Sequence, residues 1–101
     1  MQVVDVGKEF SSRLADRSQA ITFVNKYLAK LLNEEAWLNE EPFIILDFTN
    51  VHKISPGFAS QAFANFLDFV DVSPEKILKK IVFKNISNVQ LEIINTELYG
   101  K

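Results

Sequence analysis

The sequence predicts an α/β domain, and three observations carry that prediction. The run "FIILDF" at 43–48 is too short for a helix, is bounded by Pro42 and by Thr49-Asn50, and is apolar at nearly every position. Such a run is what a strand covered on both faces requires. On either side of it, residues 21–32 and 59–70 place apolar side chains at helical spacing. A second short apolar run, "KKIVFKN", then leads into Ser87 and Gln90, which stand three apart as in a capping box.

Taken in order, "QVVDV" and "EFSSRL" read as two short strands, with Phe10, Ser12 and Leu14 on one face and Glu9, Ser11 and Arg13 on the other. Gly7-Lys8 between them suits a two-residue hairpin loop. Asp16 and Gln19 form a capping box at the start of the first helix, whose expected apolar stripe is Ile21, Val24, Leu28, Leu31 and Leu32. Asn33 stops it, and "NEEAWLNEEP" reads as a loop anchored by Trp37.

After the "FIILDF" strand a second helix is predicted over 56–69, capped by Ser55 with Pro56 at its first position. Its core face is Ala59, Ala62, Phe63, Phe66, Leu67 and Val70. Ser73-Pro74 ends the pattern, Ile81 to Phe83 centre the next strand, and a last helix is predicted over 88–98, with Ile86 and Leu91 as its hydrophobic staple. The order strand, strand, helix, strand, helix, strand, helix gives a mixed β-sheet, an N-terminal hairpin plus two further strands, covered by about three helices.

A chain of 101 residues has room for one core, so a single domain over 1–101 is expected. The formal charge of −2 comes from interspersed acids and bases, which argues against a nucleic-acid partner. There is no cysteine for a disulfide, thiolate or zinc ligand set. The start "MQVVDVGKEF" does not read as a signal peptide and no apolar run reaches the ~20 residues of a bilayer span. A cytoplasmic protein without a membrane partner is the expectation.

Catalytic constellations are hard to assemble. His52 is the only histidine and stands three residues from Ser55 across a turn, which does not restrain a nucleophile and base to one geometry. Asp47 at the strand end has no paired acid nearby, and an aspartate there ordinarily accepts loop N–H groups. With Gly7, Gly57 and Gly100 the only glycines, no phosphate-cradling loop can be built. No metal, cofactor or enzymatic activity is expected. Phe58 and Phe69 project about 90 to 110° from the centre of the second helix's core stripe, and Phe23 and Tyr27 form a similar off-stripe pair on the first. These aromatics either pack between neighbouring helices or form an exposed patch that meets a partner.

The stretches "IILDFTNVHKISPGFA" and "IVFKNISNVQLEIINTEL" resemble STAS domains, the fold of bacterial anti-sigma-factor antagonists. The chain is most similar to a STAS-like family whose hallmark is an "LDF" strand followed by "ISPSFA", here "ISPGFA". The resemblance runs over nearly the whole chain. It implies a cytoplasmic bacterial signalling module whose partner is a histidine-kinase-like ATPase. In the antagonists the turn after the strand reads Asp-Ser-Ser-Gly and its first serine is phosphorylated. Position by position, Ser55 falls on the Asp and Pro56 on that serine, so Ser55 is a phosphorylation candidate only as the neighbouring hydroxyl on the same turn.

Three functional expectations follow. The first is a non-enzymatic protein-interaction module whose partner-binding residues are His52, Lys53, Ser55, Gly57, Phe58, Gln61 and Phe69. The second is self-association as a homodimer through a sheet edge, because the sequence stops soon after the third helix, where many STAS domains add a further strand and helix. A small ligand or anion at the start of the second helix is a third.

Overall fold

The computed structural model describes residues 2–39 and 41–100. Its strands are β1 (Gln2–Asp5), β2 (Arg13–Leu14), β3 (Ile44–Asp47), β4 (Lys53–Ile54) and β5 (Ile81–Lys84). A single helical turn, α1 (Val6–Glu9), follows β1. The next helix, α2, is a continuous rod made of an α segment Arg17–Phe23, a π turn Val24–Leu28 and a 3-10 turn Ala29–Leu32. Likewise α3 joins Pro56–Ala59, a π turn Ser60–Ala64 and Asn65–Val70. Two further helices, α4 (Pro74–Lys80) and α5 (Asn88–Tyr99), flank β5.

The α/β class and the central place of "FIILDF" hold: β3 lies between β1 and β5 and pairs with both in parallel. The N-terminal hairpin does not form. Instead β2 pairs in parallel with β4, and Gly7-Lys8 lies inside α1. The turn that forms instead is held locally by Asp5, which caps α1 by accepting from Lys8 N at 3.0 Å, and by Glu9, whose Oε2 accepts from Asp5 N at 2.7 Å. Gly7 is needed there for close approach, since a Cβ at that position would collide with the carbonyl of Asn50. All pairing among the described strands is therefore parallel, and the sheet is not mixed.

The strand order β1-β3-β5 advances in one direction, and right-handed crossovers taken in one direction place every connecting helix on the same face. Ile44 and Leu46 accordingly point into the core while Ile45 and Asp47 are only partly covered, so β3 is not buried on both faces as its composition implied. The core lies between this sheet and α2, α3 and α5. Lys80, at the end of α4, is buried against the approach to β3, where its ammonium donates to Asn39 O at 2.6 Å, Asn39 Oδ1 at 3.0 Å and Glu41 O at 3.1 Å. The stretch expected to be a loop instead opens with a 3-10 turn, Glu34–Trp37, capped by Asn33, and from its end Trp37 donates to Leu31 O at 2.8 Å, which is the anchoring its place in the sequence implied. The capping boxes at Asp16/Gln19 and Ser87/Gln90 are both complete.

The face that α2 turns inward differs from the expected stripe. Ala20, Phe23, Tyr27, Leu28 and Leu31 are buried, whereas Ile21 and Leu32 are about half exposed. Two aromatics bury more area than two aliphatics, and the π turn re-phases the helix after Phe23, so the helix settles with Phe23 and Tyr27 inward. Phe23 meets Phe58 at 5.6 Å, Tyr27 at 5.1 Å and Phe63 at 6.4 Å between ring centroids. Phe58 is fully buried, and the packing of aromatics between neighbouring helices accounts for it. Denaturant titration should therefore show Phe58→Ala and Phe63→Ala each losing ~3–5 kcal/mol, while Phe69→Ala, at a side chain 78% exposed, loses ~0.5 kcal/mol or less.

Candidate interaction surface

The turn that joins β4 to α3 is built around Ser55. Its hydroxyl accepts from Phe58 N at 3.1 Å, as a cap should, and also donates to the carbonyl of Ala15 at 2.7 Å, forty residues back in the chain. That second bond ties the turn to the linker between β2 and α2. Around it, Ser55 N donates to Leu14 O and His52 N to Ser12 O. His52 and Lys53 are exposed, and Ser55 and Gly57 are partly covered. Of the first backbone donors of α3, Pro56 has none and that of Phe58 is taken by Ser55, so little is left to hold an anion.

Asp47 occupies the end of β3 with its carboxylate accepting from Thr49 Oγ1 at 2.6 Å, Thr49 N at 2.9 Å and Asn85 Nδ2 at 3.2 Å. The Thr49 hydroxyl, then the Thr49 N–H and the Asn85 amide, hold its carboxyl below the usual carboxylate range. It serves as an acceptor for loop groups, in keeping with its position. Asp5 plays the same part beside it, accepting from Asn50 Nδ2 at 2.8 Å.

Two more of the predicted partner-binding residues, Gln61 and Phe69, lie together on α3 with Asn65 between them at i, i+4, i+8 spacing. They face a groove of about 280 Å³ between α3 and α2 that is also lined by Ile21, Val24, Asn25, Leu32 and Phe66. Phe66 is its buried floor; Ile21, Leu32 and Phe69 are exposed rims. No lining residue is charged. Each wall includes residues of a π turn, Val24 and Asn25 on one side and Gln61 on the other.

The structure thus divides the predicted set. Gln61 and Phe69 share the groove, His52, Lys53, Ser55 and Gly57 share the turn at the start of α3, and Phe58 belongs to the core. Ile21 and Leu32 fit a core stripe by spacing, and that spacing hides their place, with Asn25, in the groove. The alternative spacing Ala20, Phe23, Tyr27, Leu31 is equally helical and would have exposed them.

The bond from Ser55 to Ala15 makes a specific prediction. Ser55→Ala should cost about 1–2 kcal/mol, since both the cap and the link are lost. Although aspartate caps as well as serine, Ser55→Asp should be no more stable than Ser55→Ala, because a carboxylate placed against the Ala15 carbonyl has no proton to donate. Chemical denaturation of the three proteins at neutral pH measures the difference; an aspartate variant as stable as wild type would contradict the link.

No curated protein and no solved structure matches the chain. Residues 19–91, more than half of the chain, match the family described as a STAS-like domain of unknown function (DUF4325). That span runs from the capping box of α2 through β3, the Ser55 turn and α3 to the first turn of α5, so it includes the groove and the turn together. The chain belongs to this family of STAS-like domains.

Proposed function

We propose that this STAS-like domain is a non-catalytic regulatory module that receives an amphipathic helix of a signalling partner in the groove between α2 and α3. The observation that carries the reading is the groove itself: an apolar floor and rims with an exposed Phe69, and Asn25, Gln61 and Asn65 as its only polar lining. An apolar helix face with an i, i+3, i+4, i+7 stripe suits such a lining, and the amides can meet its polar margins. The fully desolvated centre of a protein interface is depleted in charge in the same way.

The turn carrying His52, Lys53 and Ser55 lies at the N-terminal end of α3 and extends the surface beyond the groove. A phosphate on Ser55 would replace the hydrogen that bonds Ala15 O, so modification would loosen the turn as well as change its charge. A kinase-like ATPase of a signalling system is the partner class that the family resemblance favours.

The test is calorimetric titration of the protein with the kinase-like ATPase encoded nearest its gene. Phe69→Glu should weaken binding by roughly 30-fold or more, as loss of an aromatic anchor does, while the melting temperature stays within about 2 °C of wild type. Unchanged affinity for the Phe69→Glu protein would refute the groove as the docking site.

A further inference from the structure

The sheet has a bare face, and its side chains are ordered in rows because the strands are in register. One row is Val3, Ile45 and Val82, read across β1, β3 and β5. Val3 is 57% exposed and Val82 37%. The corresponding row at the C-terminal ends of the strands is Asp5, Asp47 and Lys84. An apolar stripe therefore lies beside a charged row that is acidic at one edge of the sheet and basic at the other. This surface is separate from the groove, which opens between helices on the opposite side of the sheet.

We propose that the bare face packs against the same face of a second copy of this chain, about a two-fold axis parallel to the strands. That rotation carries β1 over β5. Val3 then falls on Val82 of the partner subunit, and Ile45 on Ile45 of the partner subunit, so the apolar row is closed on both sides. In the charged row, Asp5 falls opposite Lys84 of the partner subunit, and the symmetry makes this pair twice. Asp47, its carboxylate hydrogen-bonded by Thr49 and Asn85, meets its own copy at the axis, one like-charge contact set against the two Asp5–Lys84 pairs. A two-fold axis across the strands would leave Asp5 and Lys84 without each other, so charge selects the first arrangement. A foreign partner would have to present the reverse charge order on a flat apolar surface; a second copy presents it by symmetry.

The size of the face sets the strength. Three strands ~4.8 Å apart and four residues of ~3.3 Å each span far less than the ~800 Å² per partner of a stable complex, so the dimer is weak and concentration-dependent. The face is buried by aligned sheet packing at a separation of about 10 Å.

Sedimentation velocity from about 10 to 500 μM tests the proposal, the expected dissociation constant being of order 100 μM. Val3→Glu and Lys84→Glu, both at exposed positions, should each raise it at least about tenfold. Asp5→Lys should do the same, and an equimolar mixture of the Asp5→Lys and Lys84→Glu proteins should recover association, because only the mixed pair restores both charge contacts. Should Asp5→Lys fail to fold through loss of its cap on α1, the Val3→Glu and Lys84→Glu results decide alone. A wild-type protein that stays monomeric throughout would overturn the proposal. So would a dimer that persists in both of those variants, or one abolished by Phe69→Glu, which would place the contact in the groove and not on the sheet.

Discussion

The contact between Phe23 and Phe58, with ring centroids 5.6 Å apart, sets the rotation of α2 and α3 about their own axes. Both rings are almost completely buried, and Phe63 and Tyr27 extend the cluster on either side. Aromatic pairs of this kind add stabilisation beyond their buried area, and their edge-to-face geometry tolerates little rotation. With Phe23 and Phe58 turned inward, Ile21, Leu32 and Phe69 have to lie on the outside. The groove is thus a consequence of how the core is closed.

Strand order determines the rest of the surface in the same indirect way. Because β1, β3 and β5 are laid down in one direction, the helices share one face and the other remains bare. The same order provides no reversal point of the kind at which open parallel sheets bind nucleotides and small ligands. What occupies the strand ends is a set of polar side chains, Asp5, Asp47, Thr49, Asn50 and Asn85, that hydrogen-bond one another and fasten the loops. Within the chain, these side chains serve loop structure.

Much of this was legible in the residues. The capping boxes at Asp16 and Ser87 and the Ser55-Pro56 helix start depend on interactions within a few positions of sequence, the central strand and the α3 core stripe show in the spacing of their apolar residues, and all formed. The hairpin expectation failed because Gly7-Lys8 is compatible with a two-residue loop locally, while the deciding contact, Gly7 against Asn50, is 43 residues away. The helix α4 is not legible in the same way, since Ser73-Pro74 marks the end of one pattern while proline at the first position also begins helices. In the candidate site, Phe69 was legible as an outward residue. Phe58 was not, because its angle on α3 is ambiguous until α2 supplies Phe23 as its neighbour.

The most direct test of this account is a double-mutant cycle on Phe23 and Phe58, with each replaced by leucine and the stabilities of the four proteins measured by denaturant titration. Leucine keeps an apolar side chain at each site, so the cycle isolates the ring–ring interaction. The account predicts a coupling of about 0.5–1.5 kcal/mol between the two positions. Effects that add to within ~0.3 kcal/mol would contradict it, because helices not held together by these rings would have no reason to turn Ile21, Leu32 and Phe69 to the surface.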